Sequence, residues 1–102
     1  MSYVESMGRR KINRVIEMDV SKVCERFGPL MGEASSADPI LLLSDELQAL
    51  RYKDIDGLTM IQAGQKMGIS KSVFAQIYKC ARTKVAHALC TNTPLDIKCV
   101  HA

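Results

Sequence analysis

The sequence contains no apolar run near the ~20 residues that a membrane span needs, and its basic start at Arg9 is not followed by the hydrophobic stretch of a secretion signal. Both absences predict a cytoplasmic protein with no membrane partner. A glycine-rich phosphate loop is missing, as is any Ser, His and Asp set in suggestive context. The adjacent carboxylates Asp45 and Glu46 fall at a helix start, where attraction to the helix dipole explains them. An enzyme is therefore not expected, nor is any cofactor. No internal repeat is visible, and 102 residues suffice for one small domain. Four cysteines (Cys24, Cys80, Cys90, Cys99) would build a disulfide framework only in a secreted chain, so free thiols are expected.

The most informative absence is of acid. Between Gly57 and Leu95 there is no Asp or Glu, whereas Lys66, Lys71, Lys79, Arg82 and Lys84 all lie there. From Glu17 to Asp56 the balance reverses, with nine acids against Lys22, Arg26, Arg51 and Lys53. A second basic cluster, Arg9, Arg10, Lys11 and Arg14, precedes the acidic stretch. Clustered cations gain affinity for polyanions by releasing counterions from phosphates, so this asymmetry fits a nucleic-acid binder. An ordinary solvated face would carry charge in the same way.

Periodicity and punctuation organise the rest. Residues 1–11 read as a basic arm, Ile12 to Val20 as a short strand or irregular extended piece, and Gly32 to Pro39 as a linker after the Phe27-Gly28-Pro29 stop. From Ser44, which can cap, a helix presents Leu47, Leu50 and Tyr52 on its apolar side and ends, with a short extension, at Gly57. Thr59 followed by Gln62 has capping-box spacing and opens a short helix whose inner face uses Ala63 and Met67. Gly68 breaks that helix, Ile69 is expected to be buried in the turn, and Ser70 caps again. The next helix, roughly Lys71 to Leu89, aligns Phe74, Ile77, Ala81, Val85 and Ala88 at steps of three and four. The expected layout is therefore 1–39 arm and linker, 40–90 helical domain and 91–102 tail. The fold class is mainly α.

Two helices joined by a tight glycine-containing turn, the second one basic, form the helix-turn-helix that places its second helix in the DNA major groove. Each residue type has a steric reason: small Ala63 and Gly64 let the second helix approach, and Gly68 takes a left-handed conformation without penalty. A plain helical hairpin would show the same apolar pattern.

These residues also resemble a family. The Asp45-Glu46-Leu47 start with Ala49, Leu50 and Arg51, the Asp54, Gly57, Leu58 step, the Met67-Gly68-Ile69-Ser70 turn and the Phe74, Ile77, Ala81, Arg82, Lys84 series are similar to a signature of small uncharacterised prokaryotic proteins. Those proteins are predicted to bind DNA through a helix-turn-helix like that of sigma-factor region four. The resemblance covers about Ile40 to Ile97, with a weaker match near Arg9 to Val15 and Phe27 to Pro29. It implies a region-four-like domain with a basic, partly extended N-terminal arm, and a class of function without a target. Three positions depart from the pattern: Lys71 and Gln76 stand where arginines are common, and Gly64 where one of two adjacent alanines is common. Lys lacks the bidentate fork of Arg, and Gln pairs best with adenine. A helical Gly costs about 1 kcal/mol relative to Ala.

The outward face of the second helix supplies the expected contacts to double-stranded DNA. Lys71 and Gln76 are the candidate base readers. Ser70, Ser72, Ala75 and Lys79 lie beside them, while Arg82 and Lys84 are expected to contact phosphate or the surface of the domain, and Arg9, Arg10 and Lys11 of the arm offer a further DNA contact. Arg51 is expected to pair with Asp54 or Asp56. No metal site is expected; His87, Cys90, Cys99 and His101 are the ligand types that one would use. The other functional class is a protein-interaction module that meets RNA polymerase or another transcription protein, or a zinc- or redox-responsive variant of the regulator. Homodimerisation would double the small footprint of one helix-turn-helix.

Overall fold

A computed structural model describes residue 15, residues 26–29 and residues 38–98. The elements run β1 (Arg26–Phe27), β2 (Ile40–Leu43), α1 (Ser44–Leu50), a π-helical turn (Arg51–Ile55), α2 (Met60–Met67), α3 (Lys71–Thr91) and β3 (Leu95–Lys98). The described residues are mainly helical, with a small three-stranded sheet in the order β1-β3-β2.

The core follows the apolar stripes. Ala49 of α1, Tyr52 of the π-helical turn, Ala63 and Met67 of α2, and Phe74, Ile77 and Tyr78 of α3 form one buried cluster, with Phe74 and Tyr78 stacked at 6.0 Å between ring centroids. Leu50, Leu58, Met60, Ile69 and Val73 pack against it, half-buried. Ile69 is thus only partly covered, where the sequence predicts a fully buried turn residue.

The sheet departs from expectation. The residues after position 90, predicted to be a tail, include its central strand: β3 pairs parallel with β2 (Ile40↔Leu95 to Leu43↔Lys98) and antiparallel with β1 (Arg26↔Asp96, Phe27↔Leu95). Asn92, in the left-handed region at φ 53°, ends α3 two residues beyond its predicted last turn, and Thr93 N–H donates to Ala88 O at 3.1 Å. The chain then turns back so that Ile40 N–H donates to Pro94 O at 2.9 Å. Arg26 clasps Asp96 across β1 and β3 with Nε and Nη2 donating to the two carboxylate oxygens at 2.5 and 2.9 Å, and this bond holds the Asp96 carboxyl below its ordinary pKa.

Helix α1 also starts differently. Leu43, not Ser44, is the N-cap, and its N–H donates to Glu46 Oε1 at 2.9 Å, while Ser44 is buried as the first helical residue. Arg51 pairs with Asp56 at 3.9 Å, one of the two predicted partners. Of the extended piece predicted over Ile12 to Val20, only Val15 is described. Its N–H donates to Met67 O at 2.9 Å and its carbonyl accepts from Gln48 Nε2 at 2.8 Å. The residues 1–11 arm and most of the predicted linker lie outside the described residues. Among the described residues no helix is long and apolar enough to cross a membrane.

Candidate nucleic-acid interface

Helices α2 and α3 are joined by Gly68, Ile69 and Ser70, and each end of this unit is closed by the bonds its sequence prescribes. Thr59 Oγ1 accepts from Gln62 N–H at 3.1 Å and Gln62 Oε1 accepts from Thr59 N–H at 3.0 Å, satisfying two donors that a helix start leaves free. Gly68 sits at φ 68° and ψ 31°, a left-handed position that costs a residue with a Cβ energy. Ile69 N–H then donates to Gly64 O at 2.9 Å, folding the turn back onto α2. The fold-back explains Gly64: a Cβ there would lie 3.0 Å from Ile69 O and 3.3 Å from Ser70 O. Ser70 Oγ accepts from Val73 N–H at 3.2 Å and starts α3.

The outward face of the first half of α3 carries Lys71, Ser72, Gln76 and Lys79, all exposed, with Ala75 half-buried between them and Ser70 exposed at the cap. Lys66, exposed on α2, holds its ammonium 5.5 Å from the centre of the Tyr52 ring. Arg82, exposed one turn after Tyr78, lies 5.4 Å over that ring. The Tyr78 hydroxyl donates to Asp54 Oδ1 of the π-helical turn at 2.6 Å, a bond that raises the phenol pKa. The two tyrosines thus anchor two of the surface cations, an arrangement not inferred from the sequence although the four-residue spacing of Tyr78 and Arg82 signals it.

Lys84 is the clear correction. Expected among the DNA-binding residues, at phosphate or on the domain surface, it is fully buried, and its Nζ donates to the equally buried Glu46 Oε1 at 2.7 Å. Glu46 therefore joins two elements, capping Leu43 and neutralising Lys84, which goes beyond the dipole role read from its position. No phosphate reaches Lys84.

Arg9, Arg10 and Lys11 lie outside the described residues, as do Cys24, Cys99 and His101. Cys80 is buried and Cys90 is exposed. His87 is half-buried one turn before Cys90. Among the described residues, no three His, Cys, Asp or Glu side chains gather as a metal site would require.

Beside this face runs a groove of about 1070 Å³ along α3, walled on the other side by α1 and the π-helical turn. Ala75, Lys79 and Arg82 form part of its wall as well as part of the outward face.

The family model described as "Protein of unknown function DUF134" matches residues 3–100. The chain belongs to this family. DUF134 relatives occur in bacteria and archaea. The "UPF0251 protein VPA0321" of Vibrio parahaemolyticus is 39% identical over 83 residues, covering 81% of this chain and 84% of the relative. A "UPF0251 protein" of Methanosarcina acetivorans is 38% identical over 93 residues, covering 89% and 80%. Some relatives are longer. The chain is 32% identical to a "UPF0251 protein" of Syntrophobacter fumaroxidans over 72% of its own length but only 47% of the relative's. No solved structure matches.

Proposed function

We propose that this DUF134 protein binds double-stranded DNA sequence-specifically as a transcriptional regulator. In this reading α2 and α3 are a helix-turn-helix of sigma region-four type, and the first half of α3 lies in the major groove. The observation that carries the proposal is the α2-turn-α3 unit itself. It is capped at both helix starts and folded back at Gly68, and it turns Lys71, Ser72, Gln76 and Lys79 outward on a face without acids. Helix-turn-helix proteins read base edges from the N-terminal residues of the second helix, where Lys71 and Gln76 stand.

The test is duplex binding by the full chain, measured by fluorescence anisotropy across a salt series. Affinity for random duplex falls steeply as salt rises, and Lys71→Gln with Lys79→Gln flattens the logarithmic slope by up to about two units. Absence of binding at low salt, or a slope that the double variant leaves unchanged, overturns the proposal. Sites selected from a random pool then report specificity. Gln76→Ala relaxes the preference at one base pair per half-site, by about 1–3 kcal/mol, with little change in nonspecific affinity. The apolar groove supports a second reading, a protein-interaction module of the transcription machinery. A chain that ignores duplex at low salt would favour it.

A further inference from the structure

The groove along α3 joins an apolar floor to a cationic rim. Arg82, Val85, Ala86 and Leu89 follow one another along its α3 wall for about 10 Å, and Leu47, Leu50 and Ile55 belong to the facing wall. Ile55 and Leu89 are 77% and 75% exposed, the two most exposed large hydrophobic residues among the described residues. At about 1070 Å³ the groove has the volume of a small-molecule site, and such sites combine apolar walls with a few convergent polar groups.

The charges beside the floor select an anion. The π-helical turn and the residue after it bring Arg51, Lys53, Asp54 and Asp56, and α3 brings Lys79 and Arg82, so cations outnumber acids. Both acids are engaged within the chain: Asp56 pairs with Arg51 at 3.9 Å, and Asp54 Oδ1 accepts from the Tyr78 hydroxyl at 2.6 Å. Lys79 and Arg82 line the groove with no carboxylate partner among the described residues. Arg82 already lies 5.4 Å over the Tyr78 ring, so an incoming acid meets a guanidinium whose side chain is in part ordered. Its planar fork matches a carboxylate. A short acid would leave the apolar floor in water, and a neutral apolar body would leave the cations unmet. We propose that the groove binds a small amphipathic carboxylic acid, with its carboxylate at Arg82 and its aliphatic body on the stretch of floor that ends at Leu89. That stretch belongs to the second half of α3, so the body leaves Lys71, Ser72, Ala75, Gln76 and Lys79 uncovered, and the site does not depend on DNA binding.

The experiment is a decanoate titration of the full, isotopically labelled chain without DNA, at neutral pH, followed by amide chemical shifts. Decanoate moves the amides of Leu50, Ile55, Arg82, Ala86 and Leu89 with a dissociation constant below about 1 mM. Butyrate has the same head and little body, and decylamine has the same body and a cationic head. Each binds more weakly than decanoate by about 10-fold or more. Arg82→Gln lowers decanoate affinity by about 10-fold and Leu89→Asn by about 5-fold. Both variants keep the native spectrum outside the groove, because both side chains are exposed. Lys98→Gln removes an exposed charge outside the groove and leaves the affinity within about twofold. Decanoate that moves no groove amide at about 5 mM, or decylamine or butyrate that binds as tightly, overturns the proposal. So does a decanoate affinity that Arg82→Gln and Leu89→Asn both leave unchanged. Groove amides that shift with protein concentration before any acid is added mean that a second copy fills the groove, and overturn it too.

Discussion

The two halves of α3 treat the same residue type in opposite ways. Lys79, in the first half, is exposed on the acid-free face, whereas Lys84, five residues on, is fully buried against Glu46 of α1. Five residues turn a helix by about 140°, enough to carry a side chain from one face to the other. The first half buries Phe74 and Ile77 against α2 and Tyr52 and keeps its polar residues outside. The second half buries Cys80, Ala81, Lys84 and Ala88 and, after the exposed Arg82 at its start, leaves Ala86, Leu89 and Cys90 exposed. One half thus presents charge over an apolar core, and the other presents apolar side chains over a core that contains an ion pair. Position on the helix, not the charge of a side chain, decides which lysines belong to a binding surface.

The largest expected effect breaks this contrast at the buried pair. Lys84→Met removes the cation paired with the buried Glu46 carboxylate and lowers the unfolding free energy by about 3–5 kcal/mol. Lys79→Met changes it by less than about 0.5 kcal/mol, as substitutions on an open surface do. Adding Glu46→Gln to Lys84→Met recovers most of the loss, because the amide oxygen still accepts from Leu43 N–H while the buried charge is gone. Urea denaturation of the four proteins checks all three statements. Equal losses at positions 79 and 84 would show that the halves do not differ.

A smaller effect sits where the halves meet. Tyr78→Phe removes the bond to Asp54 and costs about 0.5–1.5 kcal/mol. In the native chain the folded-state pKa of Tyr78 is raised, first by that bond and then by burial, so the neutral phenol stabilises the fold. The contribution is complete below the unfolded value of 10.0 and disappears as pH rises through the higher folded value. Ultraviolet titration should find one tyrosine ionising above its ordinary range, and Asp54→Asn should lower it.

The smallest effect concerns Gly64. An alanine gains about 1 kcal/mol of helix propensity but meets the Ile69 carbonyl at 3.0 Å, closer than a Cβ normally comes. The opposing terms leave the melting temperature within about 4 °C of the native protein, the shift that less than 1 kcal/mol gives in a domain of this size. A larger rise would mean that the turn yields readily, and a larger fall that it is rigid.

How much of this was legible depended on range. The capping bonds of Thr59 and Ser70, the left-handed Gly68 and the Phe74, Ile77, Ala81, Ala88 stripe all follow from neighbours within four residues, and the structure places each as the pattern predicts. Val85, assigned to the stripe, is only half-buried. Lys84 occupies the better-phased position, seven residues after Ile77, and its charge hid it. A gap in an apolar stripe filled by a lysine, with an acid on a neighbouring helix, is the signal that would have found the pair. The strands were not legible because Leu95–Lys98 has only Leu95 and Ile97 as apolar residues, and its strand character comes from partners on both sides, far away in sequence. The outward residues Lys71, Ser72, Gln76 and Lys79 were found by elimination from the stripe. The groove was not, since its walls come from four separate elements.

The pairing of β2 with β3 also bears on the route by which the chain folds. Parallel strands cannot be joined by a tight turn, and here the whole helical unit is the crossover. Ile40 meets Leu95 only after some 55 residues have been brought round, and closing a flexible loop of that length costs about 3–4 kcal/mol. Helices form from local contacts and do so early. Once α3 is a rod of about 31 Å packed across α1 and α2, only the reversal at Asn92 remains to be made before β3 reaches its partners. The sheet is therefore the last element to close, and protection of the β3 amides marks the moment at which folding is complete.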